Sequence, residues 1–136
     1  MPIIKLITGE HVLGTNQRIC AAGGNPFHCY GVGKVESVLH AAFYPGEPPF
    51  QHGGIAAVAG ALCFYIVQAH AFADGNNRTA VVASTSFMAL NGLKLSYPID
   101  QKAGHNALAD LVESCGASQV PKASMMKWFD HHKQSF

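Results

Sequence analysis

The pattern of apolar and polar positions divides the chain into six segments with helical periodicity. Turn-forming residues separate these segments, and residues 44–50 cannot be helical because their three prolines remove backbone donors and fix φ. We expect a first helix that is capped by Thr8 and runs to about Ala22. Further helices are expected at about residues 35–43, 54–69, 76–90, 100–115 and 121–132, with an extended stretch at 93–97. The pattern therefore predicts an all-α fold, a compact bundle of about six helices.

The third of these segments is apolar on nearly every side, which is typical of a helix surrounded by other helices. Its longest apolar run, residues 55–67, is shorter than the roughly 18 residues of a membrane span and contains Gly60. We therefore expect a central buried helix and no membrane partner.

Composition narrows the class of protein. A length of 136 residues, 49% of them hydrophobic, predicts a single domain over residues 1–136 with its own core. A net charge of +1 is too small for a typical duplex-binding surface, so no nucleic-acid partner is expected. Four scattered cysteines without a C-x-x-C pair, and a start without the features of a signal peptide, favour a cytoplasmic protein with reduced thiols.

The stretch HAFADGNNRTA, residues 70–80, concentrates polar chemistry in an otherwise apolar chain. Charged residues make up 12% of the sequence, and this stretch between two apolar segments holds two of them. Gly75 permits positive φ, and Asn76 and Asn77 tolerate turn conformations, before a helix begins. The first N–H groups of that helix have no partner inside it, and with the helix dipole they predict an anion site.

Spacing leaves two interpretations open for each charged or titratable residue of this loop. Arg78 can bind a phosphate or form an ion pair with Asp74, four residues earlier. Asp74 can cap the following helix or bind Mg²⁺ beside phosphates. His70 can be a favourable charge at a helix C-terminus or a general base that works near neutral pH. Phe72 is expected to pack inward and fix the loop.

The loop resembles the signature of the Fic/Doc superfamily, H-x-F-x-[D/E]-G-N-x-R. The Thr-Ala after Arg78 and the helix that ends in Asn91-Gly92 are similar to the Doc (death-on-curing) branch. Upstream, GVGKVESVLHAAFYP, residues 31–45, is similar to a segment of Doc-type proteins. The resemblance covers about residues 31–95 and implies the helical fold of the family, the Fido fold.

The resemblance also implies an activity, the transfer of part of a nucleoside triphosphate to a hydroxyl of a target protein. It implies His70 and Arg78 as catalytic residues, with His70 as the base for that hydroxyl. It implies ATP and Mg²⁺ as cofactors, with Mg²⁺ on Asp74. The phosphates would be cradled by Gly75, Asn76, Asn77 and Arg78. The segment between Phe43 and Phe50 lies where relatives carry a flap that docks the target.

Two departures from the AMP-transferring pattern, G-N-G-R-x-x-R, bear on the reaction. Asn77 replaces the second glycine, and Val81 stands at the second arginine position. Doc-type members lack both features and are associated with γ-phosphate transfer, although they commonly carry lysine where Asn77 stands. The sequence therefore favours a phosphotransferase, with elongation factor Tu as a candidate target. Transfer of AMP or another nucleoside monophosphate remains an alternative, and so does a domain that binds a nucleotide or partner without turnover.

The resemblance also bears on how the activity is inhibited. The inhibitory motif [S/T]-x-x-x-E-[G/N] of many Fic proteins has no match in this chain, because no glutamate precedes glycine or asparagine. Doc-type toxins are typically blocked by a separate antitoxin protein, so the resemblance implies such a partner.

Overall fold

In the computed structural model, which describes residues 3–97, 99–100 and 105–136, the chain forms six helices and four short strands. The helices are α1 Gly9–Ala22, α2 Val32–Phe43, α3 Ile55–Ala69, α4 Asn76–Leu90, α5 Ala107–Gly116 and α6 Lys122–His132. The strands are β1 Leu93–Leu95, β2 Ile99–Asp100, β3 His105–Asn106 and β4 Lys133–Ser135. The strands form two separate two-stranded sheets, so the predicted all-α bundle is confirmed.

Helix α3 lies at the centre of the bundle, as its apolar sequence predicts. It packs against α2, α4, α5 and α6, and nine of its residues are buried. It approaches α6 closely at Gly60, where an added Cβ would lie 2.7 Å from the carbonyl oxygen of Met125. The absence of a side chain at Gly60 therefore sets the distance between these two helices.

Local signals place most helix ends correctly. The Thr8 hydroxyl accepts a hydrogen bond from the backbone N–H of His11 at 3.2 Å, which confirms the predicted cap of α1. The bounds of α4 agree with the prediction, and Gly92 follows it with φ of +82°. Helix α2, however, begins at Val32 and not at residue 35. The glycine at position 33, which was expected in a loop, therefore lies in its first turn.

The start of α5 was predicted wrongly. The helix begins at Ala107 and not at Asp100, because the side chain of Asn106 accepts hydrogen bonds from the N–H groups of Leu108 and Ala109 and caps it there. Residues 99–100 instead pair antiparallel with residues 105–106. Residues 101–104, which the prediction also assigned to this helix, lie outside the described part of the chain.

The expected extended stretch after α4 is confirmed at Leu93–Leu95. It forms an antiparallel pair with β4 at the end of the chain, a strand that the sequence pattern did not predict. Residues 44–50 form turns and no helix, as their prolines require. Phe50 closes this segment by packing against Phe43, with 6.4 Å between the ring centroids. Within the described residues, no helix has the length and apolar character needed to span a membrane.

Candidate active site

His70 lies at the junction between α3 and the loop that leads to α4. It is the C-cap of α3 and adopts a left-handed conformation, with φ of +46° and ψ of +49°. The residue is exposed, and its ring has no hydrogen-bond partner among the described residues. The imidazole is therefore available to a ligand.

The middle of the loop is held by the segment that precedes α2. The N–H of Tyr30 donates to the carbonyl oxygen of Ala71 at 2.8 Å, and the N–H of Ala73 donates to the carbonyl oxygen of His28 at 3.0 Å. Phe72, between these two bonds, is 2% exposed, which confirms its predicted packing role. The loop is thus anchored on one side by main-chain bonds and on the other by a buried ring.

Asn76 closes the loop onto itself. Its amide donates to the carbonyl oxygen of Phe72 at 2.7 Å, and its amide oxygen accepts from the N–H of Phe72 at 3.1 Å. Both polar atoms of this side chain are therefore used inside the loop. The predicted contribution of Asn76 to a phosphate site is thereby limited to its backbone N–H.

Gly75 makes the turn into α4. It is the N-cap with φ of +74°, and an added Cβ would lie 3.0 Å from Cγ2 of Ile19 and 3.2 Å from Nδ2 of Asn16. No side chain caps this helix end, so the interpretation of Asp74 as the N-cap is wrong. Asp74 stands one residue too early, and its carboxylate is used elsewhere.

The N-terminus of α4 presents main-chain donors. Thr79 is the first residue whose N–H bonds within the helix, to the carbonyl oxygen of Gly75 at 2.9 Å. The N–H groups of residues 76–78 precede it and receive no side-chain cap. Unpaired N–H groups and the positive end of the helix dipole form a site that favours an anion.

Two asparagines that the sequence analysis did not identify hold Asp74 in place. Nδ2 of Asn16, on α1, donates to the main-chain oxygen of Asp74 at 2.8 Å and to the hydroxyl of Thr79 at 3.0 Å. Nδ2 of Asn25, after α1, donates to Oδ2 of Asp74 at 2.8 Å. These partners are 58 and 49 positions from Asp74 in the chain, so no local pattern could indicate them.

Arg78 and Asn77 lie exposed in the first turn of α4. Among the described residues no ion pair joins Arg78 to Asp74, so that interpretation of Arg78 is wrong. The guanidinium group makes no hydrogen bond within the described part of the chain. The amide of Asn77 lies beside α5, where a Cβ at Gly116 would be 3.6 Å from either polar atom.

The donor set at this loop fits Mg²⁺ only together with a ligand. In the part of the chain that the structure describes, no group of three or more histidine, cysteine, aspartate or glutamate side chains could hold a metal. Asp74 offers one exposed carboxylate, two residues before the first of the N–H groups that favour an anion. Mg²⁺ commonly binds one or two carboxylates together with substrate phosphates and water, and this arrangement supplies those conditions.

An open groove of about 650 Å³ runs between α2 and α3 and ends beside the loop. Lys34, Ser37, Tyr65 and Gln68 line it together with Ala69, the residue before His70. Nζ of Lys34 donates to the carbonyl oxygen of Ala69 at 3.3 Å, at the C-terminus of α3. His70 directly follows Ala69 in the chain, at this end of the groove.

A loop that begins at a free imidazole and leads into an uncapped helix N-terminus, with a free guanidinium in its first turn, defines a candidate group-transfer site for phosphorylated ligands. The model of the Fic/DOC family matches residues 7–88, which is more than half of the chain. The protein therefore belongs to the Fic/DOC family, whose members are generally transferases that move a nucleotide or a phosphate onto proteins. No curated protein sequence matches the chain.

Proposed function

We propose that this protein transfers the γ-phosphate of Mg-ATP to a hydroxyl group of a target protein. The observation that carries the proposal is the uncapped N-terminus of α4, with an unpaired Arg78 in its first turn and an uncommitted His70 at the other end of the loop. Family membership supports a transferase. The choice of phosphate as the transferred group rests on Val81.

The position of Arg78 favours a bound anion. A cation in the first turn of a helix is destabilising by about 0.3–1 kcal/mol, because it faces the positive end of the dipole. Nothing in the described structure offsets this cost, since Arg78 has no acidic partner. A phosphate group would accept hydrogen bonds from both the guanidinium and the N–H groups of residues 76–78, and it would reverse the sign of this interaction.

The proposed reaction assigns one proton transfer to His70. The imidazole accepts the proton of the target hydroxyl while that oxygen forms its bond to the γ-phosphorus and the bond to the bridging oxygen of ADP breaks. Asp74, with the phosphates, would hold Mg²⁺, which supplies neutralising charge when bound. Arg78 and the N–H groups of α4 would stabilise the charge on the phosphate oxygens.

Val81 supports phosphate transfer over nucleotide transfer. It stands where AMP-transferring relatives carry a second arginine, and it packs, partly buried, against the hydrophobic core. This position therefore offers no charge to a terminal phosphate held as a leaving group.

Isotope labelling tests the proposal. The protein is incubated with Mg²⁺, a bacterial lysate or purified elongation factor Tu, and ATP labelled at either the γ or the α position. We expect label on protein from γ-labelled ATP only, and none with His70→Ala. The matched control is His11→Ala, an exposed histidine of α1, which should label as the unchanged protein does. Label from the α position alone would contradict phosphate transfer, and full labelling by His70→Ala would remove the histidine from the mechanism.

Transfer of a nucleoside monophosphate is the second candidate, and Asn77 leaves it open. Its side chain is neutral and lies beside Gly116, so the lysine charge that Doc-type relatives commonly have here is missing. The mass gained by the modified target separates the two reactions, since one adds a phosphate group and the other a whole nucleotide. From the resemblance to Doc-type toxins, we also propose that a separate antitoxin protein controls the activity in the cytoplasm. Adding a purified candidate antitoxin to the labelling assay tests that control, and we expect it to reduce the label on the target.

A further inference from the structure

We propose that Asn25 is a positioning residue for the carboxylate of Asp74, and that it leaves one carboxylate oxygen directed to the metal of the proposed Mg-nucleotide complex. This inference rests on the function proposed above. It assigns a role to the turn Gly-Gly-Asn after α1, residues 23–25. This turn is exposed, so it is not part of the core, and it lies outside the loop at residues 70–80.

The turn is built so that the amide of Asn25 reaches Asp74. The backbone N–H of Asn25 donates to the carbonyl oxygen of Cys20 at 2.9 Å, which fixes the residue over the end of α1. Gly24 adopts φ of +72°, a conformation that glycine allows at little cost. At Gly23, an added Cβ would lie 3.2 Å from Nδ2 of Asn25, so the missing side chain leaves room for the amide.

Asp74 is consequently held at two points. The buried Asn16 fixes its main-chain oxygen, and Asn25 occupies Oδ2 of its carboxylate at 2.8 Å. Oδ1 accepts no hydrogen bond from the described residues. An exposed aspartate otherwise rotates about χ2, since such terminal torsions are broad. The bond from Asn25 removes that freedom before a ligand arrives, which is how an outer partner orients a metal ligand.

A purely structural role for the Asn25 bond would leave a different signature. Both side chains are exposed, and a hydrogen bond between exposed groups contributes little to the stability of the fold. Asn25→Ala should therefore leave the melting temperature almost unchanged. Its effect should instead appear in metal affinity, because partners of this kind typically change metal affinity or activity by about 10–100-fold.

The experiment is a titration with Mn²⁺, a spectroscopic substitute for Mg²⁺, followed by electron paramagnetic resonance in the presence of a non-hydrolysable ATP analogue. The unchanged protein, Asn25→Ala, Asp74→Ala and the matched control Gln17→Ala, an exposed amide on α1, are compared. We expect Asn25→Ala to weaken Mn²⁺ binding about tenfold. Asp74→Ala should weaken it further, and Gln17→Ala should not change it. Binding of the analogue without metal should be the same in Asn25→Ala and the unchanged protein.

A second variant tests the turn without touching the donor. Gly23→Ala places a methyl group against Nδ2 of Asn25 and should weaken Mn²⁺ binding in the same direction, by a smaller factor. If Asn25→Ala binds Mn²⁺ as tightly as the unchanged protein while Asp74→Ala does not, the inference is wrong and the proposed function stands. If the unchanged protein binds neither the analogue nor Mn²⁺, both fail together.

Discussion

Replacing His70 with glycine should stabilise the protein and abolish its proposed activity. His70 holds a left-handed conformation at the end of α3, with φ of +46°, where helices usually carry glycine. For a residue with a Cβ, this conformation costs about 1–2 kcal/mol. Glycine avoids that cost but loses about 0.5–1 kcal/mol more backbone entropy on folding. The net expectation is a gain of about 0.5–1 kcal/mol in the free energy of unfolding, or about 2–4 °C in Tm.

The matched control comes from the same backbone conformation elsewhere in the chain. Ser118, which follows α5, is the other described residue besides glycine with positive φ, at +61°. Ser118→Gly should give a similar gain in Tm and leave phosphate transfer unchanged. His70→Ala keeps the Cβ, so it should lose transfer without the gain in stability.

Thermal unfolding measures these differences in stability. It is followed by far-ultraviolet circular dichroism, which reports the helices that dominate this fold. The labelling assay measures transfer. The reasoning is refuted if His70→Gly melts at or below the Tm of the unchanged protein while Ser118→Gly melts above it. That result would mean that the histidine ring makes stabilising contacts that outweigh the backbone cost. A gain in stability at both positions, with transfer lost only at position 70, would identify a backbone cost that is retained for the imidazole.

Two further predictions concern the packing around α3. Gly60→Ala should lower the free energy of unfolding by about 1–3 kcal/mol in urea titrations, despite the better helix propensity of alanine, because the new methyl group meets the backbone of Met125 at 2.7 Å; an unchanged midpoint would contradict this close contact. His52, which shares a hydrogen bond at 3.2 Å with Tyr65, has its pKa lowered by burial and by the charge of Lys122, so its folded state favours the neutral ring. Stability from His52 is therefore present above its unfolded pKa of about 6.5 and lost as pH falls through the lower folded value; His52→Gln should flatten the fall in Tm between about pH 7 and 5, and an equally steep fall would count against it.

The parts of the fold that sequence could predict are those set by local chemistry. Thr8 begins α1 and Asn91 ends α4 because capping and stop signals act within a few residues. The loop was likewise visible, since Gly75 must turn and the N–H groups after it must lack partners. The apolar character of α3 sufficed to place it at the centre.

The parts that sequence could not predict depend on contacts between distant segments. Asn16 lies on α1 among residues of ordinary helical character, and its buried amide has meaning only once Asp74 and Thr79 are brought against it. The predicted start of α5 at Asp100 was wrong, because the helix is capped at Asn106. Strand β4 is defined by its antiparallel pairing with Leu93–Leu95, a contact between distant segments.

The proposed site lies inside the region that matches the family, whereas two helices that pack against α3 lie outside it. The match covers residues 7–88, and every residue that builds the loop, from Asn16 to Thr79, lies inside it. Helices α5 and α6 lie beyond it, yet both pack against α3. Without α5, the buried Val67, whose Cγ1 lies 3.7 Å from a Cβ built at Gly116, would face water, and a fully exposed side chain of this kind costs about 1.5–3 kcal/mol. Helices α5 and α6 therefore help to bury α3, the helix that ends at His70.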